Sequence, residues 1–123
     1  MLACAGPAPA QTPQETAIRD VITRQLEALR RGDAHAAFAV ASPAIQSLFG
    51  SPAKFMSMVE QGYPQIYRSR SHRFLKLETI EGKPVQRVLI ESAAGTVVAR
   101  YEMAELAGTW RINGVAIEKT DGA

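Results

Sequence analysis

The stretch Thr96–Leu106, TVVARYEMAEL, indicates the fold of this chain most directly. Apolar side chains occupy every second position from Val97 to Met103, and polar side chains occupy most of the positions between them. Side chains of a strand alternate between two faces, so this stretch presents one apolar and one mixed face. A sheet of such strands is covered on one side only, which is typical of antiparallel sheets. We therefore predict an α+β fold.

Three further segments of the same kind flank this strand and are separated by turn residues. Because a parallel crossover needs about a dozen residues, connections this short predict a four-stranded antiparallel meander. Asn113-Gly114 is normally a hairpin signal, but a turn there would leave very short strands, so we expect a bulge that bends the last strand. The predicted strands lie near Ser71–Glu81, Pro84–Ser92, Thr96–Leu106 and Thr109–Lys119, with turns at Gly82-Lys83, Ala94-Gly95 and Ala107-Gly108.

Helix signals fill the first half of the chain. Thr12-Pro13-Gln14-Glu15 is a capping box with proline at the first helical position, and apolar residues follow it at helical spacing. Ser-Pro pairs open two later helices, and glycine ends three of the four. The predicted helices run from Thr12 to about Arg31, from Asp33 through Ala41, from Ser42 to Gly50 and from Ser51 to Gly62.

Size, charge and cysteine content limit the class of protein. The 123 residues fit one domain, and 46% hydrophobic residues are enough to fill its core. The net charge of +2 is too small to attract nucleic acid, and no run approaches the roughly 18 apolar residues that span a bilayer. Cys4 is the only cysteine, and the two histidines are far apart in the sequence. We therefore expect no cofactor, no metal, no nucleic acid and no transmembrane segment.

The first residues read MLACAGPAPAQT and resemble part of a signal peptide. Ala8-Pro9-Ala10 matches the A-x-A pattern after which signal peptidase cuts, although a basic n-region is missing. We interpret residues 1–10 as a signal-peptide remnant and residues 11–123 as a single periplasmic or secreted domain. Two alternatives are a lipoprotein anchored through Cys4 and a disordered Ala/Pro tail without a targeting role.

Residues of the helical half resemble a known family. The resemblance is to the small bacterial domain-of-unknown-function family numbered 4864, of the nuclear-transport-factor-2-like (NTF2-like), or cystatin-like, superfamily. It implies a cone in which the first helix lies across a bent sheet and an apolar cavity opens between them; a cystatin-like layout of one helix on a sheet is the alternative. The residues that carry it are Ala37-Phe38, Ala41-Ser42-Pro43, Phe49-Gly50, Phe55, Met58-Val59, Gly62-Tyr63 and Ile66-Tyr67.

The stretch Gly62–Arg73, GYPQIYRSRSHR, concentrates aromatic and basic residues in the link between helices and sheet. Aromatic and guanidinium groups on a loop offer stacking and bidentate contacts to carboxylate or phosphate. The alternative is that the tyrosines pack over a helix end while the arginines are solvated. The ligand-binding residues expected from this stretch are Tyr63, Tyr67, Arg68, Arg70 and His72.

Two interpretations of function remain open, because no catalytic constellation is recognisable. The first is a non-enzymatic domain that binds a small apolar or acidic ligand, or a protein partner, through the mouth of the cone. The second is a small cofactor-free isomerase or hydrolase-like enzyme that uses His72 with Tyr67 or Tyr63, since enzymes of this fold combine a base with phenol donors. A homodimer through the exposed sheet face is a further alternative. An apolar pocket would be lined by Phe55, Met56, Met58, Tyr101, Met103 and Trp110.

Overall fold

The computed structural model describes residues 11–118, so the signal-peptide remnant predicted for residues 1–10 lies outside the described residues. Helices come first and strands second, as predicted from the sequence. The described residues form α1 (Pro13–Arg31), α2 (Ala34–Ala39), α3 (Pro43–Phe49), α4 (Pro52–Gly62), α5 (Pro64–Tyr67), β1 (Ser69–Ile80), β2 (Lys83–Ser92), β3 (Gly95–Leu106) and β4 (Thr109–Glu118).

Helix α1 is fixed at both ends by the residues that the sequence pattern marks. The Thr12 side chain accepts a hydrogen bond from the Glu15 backbone N–H at 3.1 Å, and the Glu15 carboxylate accepts from the Thr12 N–H at 2.9 Å. At the other end Gly32 adopts φ 73°, a left-handed conformation that glycine reaches without steric strain. The apolar stripe of α1 is buried against the sheet at Ile18, Val21, Ile22, Leu26 and Leu29.

The four strands pair in sequence order to form one antiparallel sheet, which confirms the predicted meander. Two of the three turns lie one residue earlier than predicted, at Glu81-Gly82 and Ala93-Ala94, because Lys83 and Gly95 already pair with the preceding strand. The third turn is at Ala107-Gly108, as expected. At Glu81-Gly82 and Ala107-Gly108 both turn residues have positive φ, the geometry that matches the twist of antiparallel strands.

Bulges bend the first and last strands. In β4, Glu102 pairs with Gly114 and Met103 pairs with Ile112, so Asn113 is the extra residue and the predicted bulge is confirmed. In β1 the pairing shifts between Phe74 and Leu77. The buried Gln86 side chain bridges this second bulge, since its Nε2 donates to the Leu75 carbonyl at 2.9 Å. A bulge increases local twist, so the sheet curves around the helices without closing.

Two further features, both in the helical half, differ from the sequence prediction. Helix α2 ends at Ala39, two residues early, because the chain around Ala41 pairs in parallel with Ile112 of β4. This bridge is held by the Ser42 N–H donating to the Ile112 carbonyl at 2.8 Å. The link after Gly62 contains a one-turn helix, α5, which Pro64 begins. None of the described helices is long and apolar enough to cross a membrane.

Candidate functional site

An apolar cavity of about 250 Å³ lies between the helices and the bulged part of β4. One of its lining side chains, Leu48 of α3, is 72% exposed, so the cavity reaches the surface beside this helix. The lining residues come from α1, the α2–α3 corner, α3, α4, the α4–α5 region and β4. They are Gln25, Ala41, Ile45, Leu48, Phe49, Phe55, Met58, Val59, Tyr63, Ile66, Ile112, Gly114 and Val115.

The bulge at Asn113 shapes one wall of this cavity. In a regular strand, residues three apart face opposite sides of the sheet. The extra residue reverses that rule here: Ile112 pairs with Met103 and Val115 pairs with Tyr101, and both partners are buried on the helix side. Ile112 and Val115 therefore both line the cavity, with Gly114 between them.

A chain of polar contacts fixes the bulge to the start of α3. The hydroxyl of Ser42, which is 2% exposed, donates to Asn113 Oδ1 at 2.7 Å. Asn113 Nδ2 in turn donates to the Glu102 carboxylate at 2.7 Å, and Lys83 Nζ lies 3.7 Å from the same oxygen. Because both ends of the Asn113 amide are engaged, the bulge is held to the start of α3 on one side and to β3 on the other.

Among the described residues of the lining, only two side chains carry hydrogen-bonding groups, and both bind backbone carbonyls. Gln25, 4% exposed, donates from Nε2 to the Ala37 carbonyl at 3.1 Å. The Tyr63 hydroxyl donates to the Val115 carbonyl at 3.2 Å. No charged side chain is among the lining residues of the described part of the chain. Chemically, this lining can exclude water and enclose an apolar group.

The expected ligand-binding residues divide between two places. Tyr63 lines the apolar cavity. Tyr67 and Arg68 instead line a shallower basic depression of about 310 Å³, together with Leu29, Arg30, Arg31, Gly32 and Ser69. The Arg70 side chain is exposed, and its carbonyl accepts from the Arg30 guanidinium at 3.3 Å.

His72 lies on the flank of α1 and lines neither hollow. Its Nε2 is 3.5 Å from Thr23 Oγ1, and its ring meets the Phe74 ring edge-on with centroids 5.2 Å apart. Burial is the main cause that lowers the pKa of His72; the positive charge of Arg30 acts in the same direction and the Glu27 carboxylate opposes it. The structure does not gather this imidazole and a tyrosine hydroxyl around one cavity.

The second set of candidates, the apolar pocket residues, is divided as well. Phe55 and Met58 line the cavity, whereas Tyr101 and Met103 are fully buried in the core. Trp110 lies at another surface depression near the β3–β4 turn. The Tyr101 hydroxyl has no hydrogen-bond partner among the described residues, and burial raises the pKa of this phenol.

Solved structures with the same arrangement define the class of fold. An NTF-2-like protein of unknown function from Shewanella oneidensis matches 86% of this chain and 98% of its own, with a TM-score of 0.58 and 15% identity. The protein Aln2 from a Streptomyces species matches 89% of this chain and 93% of its own, with a TM-score of 0.53 and 15% identity. Identities this low show the fold alone: helices followed by a curved, unclosed four-stranded sheet, which is NTF2-like.

The family follows from the sequence itself. The model of a domain of unknown function, DUF4864, matches residues 11–123, and the chain belongs to this family. A comparison with curated proteins finds no match. The resemblance noted in the helical half is thereby confirmed and extended over the strands.

Proposed function

We propose that this domain binds a small apolar molecule in the apolar cavity, without catalysing a reaction on it. The observation that carries the proposal is the lining, which is almost entirely apolar around an open volume of about 250 Å³. Protein interiors are packed to a density of about 0.75, with few voids larger than a water molecule. An apolar cavity of this size that opens to the surface beside α3 therefore supports a ligand.

The volume limits the size of the ligand. An apolar cavity of about 150 Å³ lined by Leu, Ile and Phe holds a benzene molecule. By proportion, about 250 Å³ suits a bicyclic ring or a short acyl chain. Such a ligand would gain about 25 cal/mol for each Å² of apolar surface that it removes from water. Contacts with Phe55 and Met58 on one side and Val115 on the other would enclose it.

Binding is favoured over catalysis by the absence of a free proton-transfer group among the described residues that line the cavity. General acid-base catalysis needs a titratable side chain within hydrogen-bond reach of the substrate. Within the described lining, Tyr63 is the only titratable residue, and its hydrogen is already donated to the Val115 carbonyl. His72, the base of the enzymatic alternative, contacts Thr23 and Phe74 instead.

A matched pair of variants of the full chain tests this proposal. The probe is β-methylnaphthalene, a neutral bicyclic hydrocarbon, with calorimetric binding and the thermal unfolding midpoint as readouts. Val115→Phe places an aromatic ring into the cavity and should weaken binding at least tenfold. Ile117→Phe is the control, because Ile117 also packs against the core from β4 but does not line the cavity.

The expected result is that the native protein and Ile117→Phe bind the probe and are stabilised by it, as a ligand that binds only the folded state must do. The proposal is wrong if Val115→Phe binds the probe as tightly as the native protein does, or if the native protein binds neither the probe nor a substituted naphthalene of similar size.

We further propose that the domain works outside the cytoplasm, in the periplasm or after secretion. Two observations support this: Ala8-Pro9-Ala10 fits a signal-peptidase site, and the family match begins at residue 11. Intact mass of the protein isolated from its own cells should correspond to a chain that starts at Gln11. A chain that retains Met1, or one that carries an acyl group on Cys4, would contradict cleavage after Ala10.

A further inference from the structure

We propose that the ligand of the apolar cavity is a neutral molecule whose apolar body carries one hydrogen-bond donor, and that Gln25 Oε1 accepts this hydrogen bond. This inference rests on the proposed binding function and names the chemical class of the ligand. An alcohol, a phenol or an aromatic N–H on a ring of one or two cycles fits this description.

The orientation of the Gln25 amide follows from its partner. A backbone carbonyl can only accept, so the NH₂ group of Gln25 must face the Ala37 carbonyl, 3.1 Å away. The amide is planar, and its oxygen therefore points away from that carbonyl. None of the hydrogen bonds among the described residues ends on Gln25 Oε1, although the residue is only 4% exposed and lines the cavity. This oxygen is not among the fully enclosed polar atoms without a partner, which in the described part of the chain belong to Arg19, Ser69, Gln86 and Tyr101, so a donor can reach it. A ligand in the cavity can supply that donor.

The second polar group of the lining leads to the same conclusion. A tyrosine hydroxyl has one hydrogen to donate and two lone pairs to accept with. Tyr63 uses its hydrogen on the Val115 carbonyl at 3.2 Å, so only lone pairs remain. Gln25 uses one of its two amide hydrogens on the Ala37 carbonyl and keeps the second, together with its oxygen. The lone pairs of Gln25 Oε1 and of the Tyr63 hydroxyl thus outnumber the one free N–H of the lining, so a donor is the partner that the cavity lacks most.

The charge of the lining excludes ionised ligands. Transfer of a carboxylate or an ammonium group into an apolar site is costly unless an opposite charge lies within reach. No Arg, Lys, His, Asp or Glu is among the described residues that line the cavity. The arginines of the basic depression line a separate hollow. A neutral donor can form a hydrogen bond with the Gln25 oxygen and brings no unpaired charge into the apolar cavity.

Three probes with one ring system and different substituents test the inference in the native full chain. They are β-naphthol, a neutral donor; β-methylnaphthalene, which has no donor; and β-naphthoate, an anion. We expect naphthol to bind about tenfold more tightly than methylnaphthalene, as one neutral hydrogen bond supplies. Naphthoate should show no measurable binding. Equal affinity for naphthol and methylnaphthalene, or preferred binding of naphthoate, would overturn the inference while the proposed function stands. Failure of all three probes to bind would refute the proposed function itself.

Substitution of Gln25 assigns the acceptor. Gln25→Met keeps the length of the side chain but removes its oxygen, so naphthol should fall to the affinity of methylnaphthalene, whose own binding should change little. Gln46→Met is the matched control, since Gln46 makes the same kind of bond to the Phe38 carbonyl at 2.9 Å but lies outside the lining. A naphthol preference that survives Gln25→Met would overturn the assignment. Thermal unfolding establishes that each variant is folded; should Gln25→Met not fold, the three probes in the native protein still decide whether a donor is required.

Discussion

Two hollows of this domain, the apolar cavity and the basic depression, differ in the elements that form them. The apolar cavity is enclosed by helices and by a bulged strand, and its walls are apolar side chains. The basic depression lies at the end of α1, where Arg30 and Arg31 occupy the last turn and Arg68 follows α5. Cations are favoured at a helix C-terminus because the unpaired carbonyls there carry partial negative charge. The cluster of arginines is thus accounted for by the helix end, whereas nothing in local structure requires the cavity.

The largest expected effect on stability comes from truncating Phe55, which both lines the cavity and belongs to the core. Phe55 is 6% exposed, and its ring centroid lies 5.6 Å from that of Phe38 and 5.9 Å from that of Phe49. Phe55→Ala should lower the free energy of unfolding by about 3 kcal/mol, since buried Phe→Ala changes lose transfer energy and leave a void. Urea unfolding measures it. A loss below about 1 kcal/mol would mean that neighbouring side chains move in to fill the space left by the Phe55 ring. The cavity would then not be held open by the packing of the core.

A smaller effect is expected from the hydrogen bond that closes the cavity on the β4 side. Tyr63→Phe removes the donor to the Val115 carbonyl and leaves the shape of the lining intact. The free energy of unfolding should fall by about 1 kcal/mol, the usual net worth of one such bond. Tyr67→Phe, the same change in the basic depression, serves as the control and should have less effect. Equal losses of unfolding free energy in Tyr63→Phe and Tyr67→Phe would show that the hydrogen bond from Tyr63 to Val115 adds no stability of its own.

His72, which lines neither hollow, should give the protein a pH dependence. Burial lowers the pKa of His72 in the folded state, whereas the unfolded chain protonates at the ordinary value near 6.5. The unfolded state therefore binds more protons just below that value, and stability falls as the pH drops through it towards the folded pKa. Urea unfolding at about pH 7.5 and about pH 5.5 measures the difference, which His72→Gln should reduce.

His35→Gln provides the comparison, because it removes the other imidazole of the sequence, which is exposed. His72→Gln should reduce the difference between the two pH values by more than His35→Gln does. A pH dependence that persists in full in His72→Gln would mean that another group, and not the imidazole on the flank of α1, is responsible.

The smallest effect is expected in the basic depression itself. Arg31 lies 3.5 Å from Asp33, and the two side chains are 58% and 42% exposed. Exposed ion pairs and cations at a helix end each contribute little, so Arg31→Ala combined with Arg68→Ala should lower the unfolding midpoint only slightly and leave the affinity for β-naphthol unchanged. The opposite result is also measurable: inorganic phosphate that binds the native protein and not the double variant would make the depression a ligand site.

Much of the fold was predictable because its signals are local. The capping box at Thr12, the glycine that ends α1 and the alternation in β3 each act within a few residues. The bulge at Asn113-Gly114 was also predictable, since a hairpin there would have left strands too short to pair. The end of α2 was not, because its position depends on a bridge to Ile112, distant in the sequence.

The cavity was far less predictable than the fold. Among the five expected ligand-binding residues, Tyr63 alone lines the cavity. The prediction rested on aromatic and basic residue types, and these are concentrated after α4. Val115 and Ile45 look like ordinary core residues, and only packing between distant elements makes their surroundings hollow. Gln25 did carry a usable signal: it lies on the apolar stripe of α1, next to Leu26 and one turn before Leu29. A polar residue on such a stripe is worth testing as a site.

The bulge also bears on the chemical durability of the protein. Asn-Gly pairs are prone to deamidation, in which the glycine nitrogen attacks the asparagine side-chain carbonyl and ammonia leaves. In the folded chain that carbonyl accepts from Ser42 and the amide nitrogen donates to Glu102, so a rotation of the side chain for this attack would break both hydrogen bonds. Conversion of Asn113 to aspartate would place a second carboxylate beside that of Glu102, and the two negative charges would repel each other. Deamidation at this pair would thus record the time that the chain has spent unfolded.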